Sequence, residues 1–175
     1  MKVAGIIKHS LVNGPGIRYV IFFQGCPHHC HGCQNPETHD FSKGEELEPE
    51  DLISAIKGER YIEGITLSGG DPLYQPEDAM KIAKAAKEMG LSVWCYTGHV
   101  FENIVICNHT YIYKALEYID VLVDGPFIKE LRKIASDDMT EEEKRKCIYR
   151  GSTNQRLIDV PESIKRGETV EWCDF

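Results

Sequence analysis

The stretch Gly25-Cys-Pro-His-His-Cys-His-Gly-Cys33 constrains this chain more than any other, because three closely spaced thiols can converge on one small site. It follows directly on Arg18-Tyr-Val-Ile-Phe-Phe-Gln24, a short β-branched and aromatic run that predicts a buried strand. The cysteines are therefore expected at a strand's carboxyl end. Thiolates are soft ligands suited to zinc or iron–sulfur clusters, and a four-iron cluster normally takes four of them. Here the fourth is missing locally. One reading is a structural zinc completed by His28, His29, His31 or His39. Others are an electron-transfer cluster closed by Cys95, Cys107, Cys147 or Cys173, or a redox disulfide.

The rest of the chain alternates strand and helix signals. Gly64-Ile-Thr-Leu67 reads as a strand running into Ser68-Gly-Gly-Asp-Pro72. A helix is predicted from about Pro76 to Met89, where Ala79, Met80, Ile82, Ala83, Ala86 and Met89 have helical spacing, Pro76 suits the first turn and Gly90 the stop. Leu91 to Tyr96 predicts a strand, Tyr111 to Tyr118 contains a helix, and Val121-Leu-Val123 predicts a further strand before Asp124-Gly-Pro126. This β-α alternation implies an α/β fold with a mostly parallel sheet, ligands gathering at the carboxyl edge of the strands. At 175 residues the chain is too short for a full eight-unit barrel of about 250, so an open or partial (β/α) barrel in a single domain is expected. Thr140 to Lys146 predicts a short solvated helix with Thr140 and Glu143 at capping-box spacing.

A net charge of −8 opposes binding to phosphate backbones and anionic membranes, so neither nucleic acid nor membrane is an expected partner. No apolar run is long enough for a membrane span or a secretory signal, which makes a cytoplasmic setting the expectation. Thiols in a reducing compartment serve more often as metal ligands or reactive groups than as disulfides, and the count of seven cysteines precludes complete pairing.

Ser68-Gly-Gly-Asp-Pro72 alone is a common turn. Joined to the cysteine loop, it resembles the radical S-adenosylmethionine (SAM) superfamily, in which the cysteine triad binds three irons of a [4Fe-4S] cluster and the glycine motif holds the methionine amine. Val12-Asn-Gly-Pro-Gly-Ile-Arg18 before the loop and Cys33-Gln-Asn35 after it resemble the glycyl-radical-enzyme activases. Tyr96-Thr-Gly98, Val121 to Phe127 and Tyr149-Arg-Gly-Ser-Thr-Asn-Gln-Arg156 resemble the activases of anaerobic ribonucleoside-triphosphate reductase, over about residues 5 to 157. Residues 128–148 and those after Val160 depart from that pattern.

The resemblance implies a SAM-cleaving enzyme whose deoxyadenosyl radical removes a glycine hydrogen from the large subunit of that reductase, with a flavodoxin or ferredoxin as electron donor. It assigns Cys26, Cys30 and Cys33 to the cluster, with the fourth iron open to SAM. Gly69, Gly70 and Asp71 are placed around the methionine moiety, and Gly32 and Gln34 beside the nucleoside. Tyr96 and Thr97 become ligand contacts, and Asp124 a contact or a turn residue. Arg18 and Asn13 are expected to brace the cluster loop, Arg150, Asn154 and Gln155 to line the mouth, and the three loop histidines to shield the cluster. Activation of pyruvate formate-lyase, and a zinc-stabilised binding protein without catalysis, are the alternatives.

Overall fold

A computed structural model of the chain describes residues 1–107, 110–145 and 147–173. In chain order its elements are β1 (Lys2–Ser10), β2 (Arg18–Phe23), β3 (Glu45–Glu46), α1 (Pro49–Gly58), β4 (Gly64–Gly69), α2 (Pro76–Glu88), β5 (Ser92–Tyr96), α3 (Phe101–Ile106), α4 (Thr110–Leu116), β6 (Val121–Asp124), α5 (Glu141–Arg145), β7 (Arg156–Asp159) and α6 (Val160–Arg166). They build one seven-stranded sheet in the order β3-β1-β2-β4-β5-β6-β7. The four central strands, β2, β4, β5 and β6, are parallel. The outer pairings β3–β1, β1–β2 and β6–β7 are antiparallel. The sheet is thus parallel in the middle and antiparallel at both margins.

Strand pleating sorts the residues of this sheet onto two faces. Tyr19, Ile21, Phe23, Ile65, Leu67, Val93 and Cys95 join the large core, which contains Leu52 and Ile56 of α1 and Ala79, Ile82, Ala83 and Ala86 of α2. Apolar positions three and four apart give each of these helices one stripe to bury. The intervening residues Phe22, Ser68 and Tyr96 face the other way and line a cavity. Trp94, Val121, Val123 and Leu157 form a second, smaller cluster, against which Tyr96, Tyr149 and Trp172 pack.

Arg18 is fully buried at the start of β2. Its Nε donates to Thr66 Oγ1 (2.7 Å), Nη1 to Ser92 Oγ (2.9 Å) and Nη2 to the carbonyls of Ile65 (2.5 Å) and Ser92 (3.0 Å). Burial lowers its pKa to about 10. Arg18 therefore braces the amino edge of the parallel strands, where β2, β4 and β5 begin, and not the cysteine loop at the opposite edge. Asn13 accepts from Ser10 Oγ through its side chain and from Thr66 Oγ1 through its carbonyl.

The solvated helix expected at Thr140 is α5, capped reciprocally by Thr140 and Glu143; Lys146 lies outside the described residues. The chain after Val160 forms α6, turns at Gly167, and returns to bond β7 through Trp172 N to Leu157 O (2.7 Å). The Trp172 ring sits 5.1 Å from Trp94, so the extension covers the smaller cluster. No described helix is long and apolar enough to cross a membrane.

Candidate active site

The cysteine loop leaves the end of β2 and is pinned to the segment that follows it. Gly25 N donates to Thr38 O (2.8 Å) and Cys26 N to His39 O (3.2 Å), while Gln24 Nε2 donates to the carbonyls of Glu37 and Asp40. Cys26 is buried and Cys30 and Cys33 are half-buried. All three line a cavity of about 570 Å³ at the carboxyl edge of the parallel strands, within the ~300–1,000 Å³ typical of small-molecule sites. Burial pushes the Cys26 thiol up to about 11 and raises that of Cys33, so these sulfurs need a cation to become thiolates at neutral pH.

The glycine turn at the end of β4 is welded to this loop. Gly70 N donates to Phe23 O (2.7 Å) and Asp71 N to Gly25 O (2.9 Å). A Cβ on Gly70 would lie 2.3 Å from Gly25 O, so no larger residue fits while the two backbones touch. Gly69, at φ +95°, would likewise meet the backbone of Phe22 and Phe23. These glycines serve packing as well as exposing the turn to the cavity.

Asp71 does not line the cavity. Its carboxylate is 1% exposed and lies one layer behind the wall. Oδ2 accepts from His28 Nε2 (2.7 Å), Thr97 Oγ1 (2.8 Å) and Gly98 N (3.0 Å), and Oδ1 from Leu73 N (3.0 Å). A carboxylate can only accept, which assigns the proton to Nε2 of His28. The His28 ring packs edge-on to Tyr74 and His99 and occupies the space a side chain at residue 98 would need. Asp71 thus ties three segments together: the cysteine loop, its own turn, and the end of β5. This tie was invisible in the sequence, since 43 residues separate His28 from Asp71.

Of the other sequence-predicted residues, Gln34, Gly69, Gly70, Tyr96 and Thr97 line the cavity with the cysteines; Gly32 does not. Gly32 lies outside it, under the side chain of Lys129. Tyr96 donates its hydroxyl to Tyr149 O (2.9 Å), and desolvation raises its pKa. Asp124 is 1% exposed and committed to an ion-pair network, accepting from Arg156 Nε (3.0 Å) and Phe101 N (2.8 Å). Arg156 also grips Glu102 with two bonds of 2.9 and 2.7 Å. Asp124 is accordingly a structural anchor.

Arg150 and Gln155 reach the cavity wall, but Gln155 and its neighbours act as a clip. Ser152 Oγ accepts from Ile128 N (3.1 Å), Thr153 N donates to Leu131 O (2.9 Å), Asn154 Nδ2 to Pro126 O (2.8 Å) and Gln155 Nε2 to Gly125 O (2.9 Å).

Three observations test whether the cavity suits a cluster and a small ligand. The ligand atoms of His28, Asp71 and His99 lie within 4.8 Å of one another, while the three thiols on one cavity wall offer the soft donor set of an iron–sulfur cluster. In the trio itself, Oδ2 of Asp71 already takes three donors, which makes it a hydrogen-bonded unit. Finally, His39 Nε2 on the cavity wall is buried with no partner among the described residues, an atom left for a ligand. Burial also lowers the pKa of His39.

Comparison with known proteins agrees with this geometry. Residues 12–158 match the family described as a 4Fe-4S single cluster domain. The anaerobic ribonucleoside-triphosphate reductase-activating protein of Enterobacteria phage T4 is 35% identical over 164 residues, covering 90% of this chain and 93% of that protein. The protein of the same name from Salmonella typhimurium is 34% identical over 155 residues, 83% and 90% of the two chains. The chain belongs to this family of activating proteins. A pyruvate formate-lyase-activating enzyme from Clostridium pasteurianum is 41% identical over 95 residues, but these make up 51% of this chain and 40% of that enzyme. The crystal structure of QueE from Escherichia coli superposes with a TM-score of 0.50 at 15% identity, covering 95% of this chain and 91% of that one. That likeness extends the fold relationship over nearly the whole chain.

Proposed function

We propose that this protein activates an anaerobic ribonucleoside-triphosphate reductase, with Cys26, Cys30 and Cys33 holding three irons of a [4Fe-4S] cluster and SAM completing the fourth. The observation that carries the reading is the convergence of the three cysteines and the Ser68–Gly70 turn on one cavity, locked in register by Asp71. When bound, the cluster supplies the electron that cleaves SAM, and the radical so released removes a glycine hydrogen from the reductase. The sheet is read as a partial barrel of the radical SAM type, and the chain as a single unit.

The chain's own residues bind, orient and exclude water. Gly69 and Gly70 leave the turn's backbone open to the methionine amine, with Asp71 acting by fixing that turn instead of touching the ligand. Gln34, Tyr96 and Thr97 line the space for the rest of SAM. Because the hydroxyls of Tyr96 and Thr97 are already bonded to protein, they contribute shape more than hydrogen bonds. His39 Nε2 is the atom free to accept or donate. A flavodoxin or ferredoxin-type carrier is the proposed electron source.

Anaerobic reconstitution with iron, sulfide, a reductant, SAM and the reductase tests this. A glycine-centred doublet in electron paramagnetic resonance, with one 5′-deoxyadenosine per radical, is expected. Deoxyadenosine without the doublet would overturn the partner; a colourless protein that retains zinc would overturn the cluster.

A further inference from the structure

The cavity side of the cysteine loop is taken up by the reaction, so an electron arriving from another protein needs a path to the loop's outer side. That side is met at Gly32, between Cys30 and Cys33. Gly32 is exposed and absent from the cavity wall, and a Cβ there would lie 2.7 Å from Lys129 Cδ. The aliphatic stem of Lys129 therefore rests directly on the cluster loop. Lys129 opens a short surface segment, Lys-Glu-Leu-Arg-Lys-Ile, within residues 128–148, the stretch that departs from the compact activase pattern.

Two properties set this segment apart. The whole chain carries 28 acidic and 20 basic residues, yet within Ile128 to Ile134 the three bases Lys129, Arg132 and Lys133 accompany one acid, Glu130. Neither Arg132 nor Lys133 has a salt bridge among the described residues, so their charges are uncommitted. Interleaved with them, Ile128, Leu131 and Ile134 are 37%, 39% and 73% exposed. An apolar patch of this kind on a surface marks a contact site, and apolar centre with charged rim is the usual anatomy of one. The start of the patch is held in place, since Ile128 and Leu131 are both bonded to the 152–155 clip, which reduces the ordering entropy lost there on docking.

We propose that the surface formed by Ile128 to Ile134 docks an acidic one-electron carrier protein, such as a flavodoxin, against the outer face of the cluster loop. The inference rests on the assignment of the cluster to Cys26, Cys30 and Cys33. An acidic carrier is repelled by most of this net-negative chain and attracted at this patch, which orients it as well as holding it. The patch is small, as suits electron-transfer encounters, which bury less than about 1,200 Å² and must part quickly.

The experiment follows reduction of the reconstituted cluster, by loss of its visible absorbance in a stopped-flow instrument, with a separately prepared acidic flavodoxin hydroquinone as reductant. The variant Arg132→Glu with Lys133→Glu is compared with Lys57→Glu and Lys84→Glu, which change net charge equally but lie on α1 and α2. At low salt the patch variant should lose about tenfold or more in second-order rate, while the α1/α2 variant stays within about twofold of wild type. The difference should shrink towards 1 M salt, where the Debye length falls to about 3 Å. Photoreduced 5-deazaflavin, a small neutral reductant, should reduce all three clusters alike. Equal rates for the two charge variants, or an equal loss with deazaflavin, would overturn the proposal. So would weakened binding of the reductase with unchanged cluster reduction, which would give the patch to the reductase. Failure of wild type to form a cluster is a separate result that removes the functional reading itself.

Discussion

The bond between His28 and Asp71 makes a quantitative test of how the two motifs are joined. Asp71 is essentially buried and the His28 side chain is 19% exposed, so the 2.7 Å contact is only lightly screened. Hydrogen bonds to charged groups contribute ~1.5–3 kcal/mol net, and the residual exposure of His28 places this one near the lower end. His28→Ala should cost about 2 kcal/mol. Asp71→Asn should cost about 3 kcal/mol: its amide oxygen can keep the three donors on the Oδ2 side, but its NH2 then faces Leu73 N–H, and the remaining bonds lose their charge assistance. Each variant stays folded against a typical stability of ~5–15 kcal/mol. The double variant should fall short of the sum by about 1 kcal/mol, because the charge assistance that Asp71→Asn removes from the His28 bond is already absent once His28 is alanine. Urea unfolding of the iron-free protein under argon measures this: 2 kcal/mol moves the midpoint by about 1 M at an m-value of ~2 kcal/mol/M. Additivity within about 0.5 kcal/mol would mean that the contact does not join the loop to the turn, and the rigidity attributed to the site would have to come from elsewhere.

Further outcomes follow from other parts of the molecule. Cys30→Ala should abolish the visible absorbance of the reconstituted protein, whereas Cys173→Ala, at an exposed site, should leave the absorbance and the iron content unchanged. Gly70→Ala should cost about 2 kcal/mol or more, since its Cβ meets backbone at 2.3 Å, while Gly5→Ala, which meets nothing within 4 Å, should be neutral or stabilising by chemical denaturation. Hydrogen bonds from Arg156 hold the Glu102 carboxyl at about 2, below its ordinary 4.5. A depressed folded-state pKa gives stability that is complete above pH 4.5 and lost as pH falls towards 2. Because Glu102 is 41% exposed, screening limits the effect to about 1 kcal/mol, and Glu102→Gln should flatten that part of a Tm-against-pH curve.

The central strands and α2 were legible because their signals are local: β-branched runs for β2 and β6, and a helical stripe bounded by Pro76 and Gly90 for α2. The margins were not. β1 is exposed at most positions and carries Lys8 and His9, so no alternation marks it; pairing with β2 and β3 makes it a strand. β7 is four residues long and is completed by a tail that folds back over it. At the site, residue types and spacing pointed to the thiols and to Gly69 and Gly70, which line the cavity. Asp71 read as a ligand contact, Asp124 as a contact or a turn residue and Gln155 as lining the mouth, because a sequence shows a polar side chain but not what it faces. Two of the three are buried acids whose bonds go to protein, and Gln155 spends its amide on the clip.

That clip has an evolutionary and practical corollary. Four consecutive residues, Ser152 to Gln155, hold Gly125 to Leu131 in place from both sides. The stretch from Ala135 to Lys144 lies between this frame and the cavity-lining segment Cys147 to Gly151, and doubling a flexible loop costs only about 0.6 kcal/mol. Homologues can lengthen or shorten this stretch while the cavity wall stays where it is. An inserted peptide tag in the 135–139 region would hang from the same frame, reporting on the protein without moving the residues that surround the thiols.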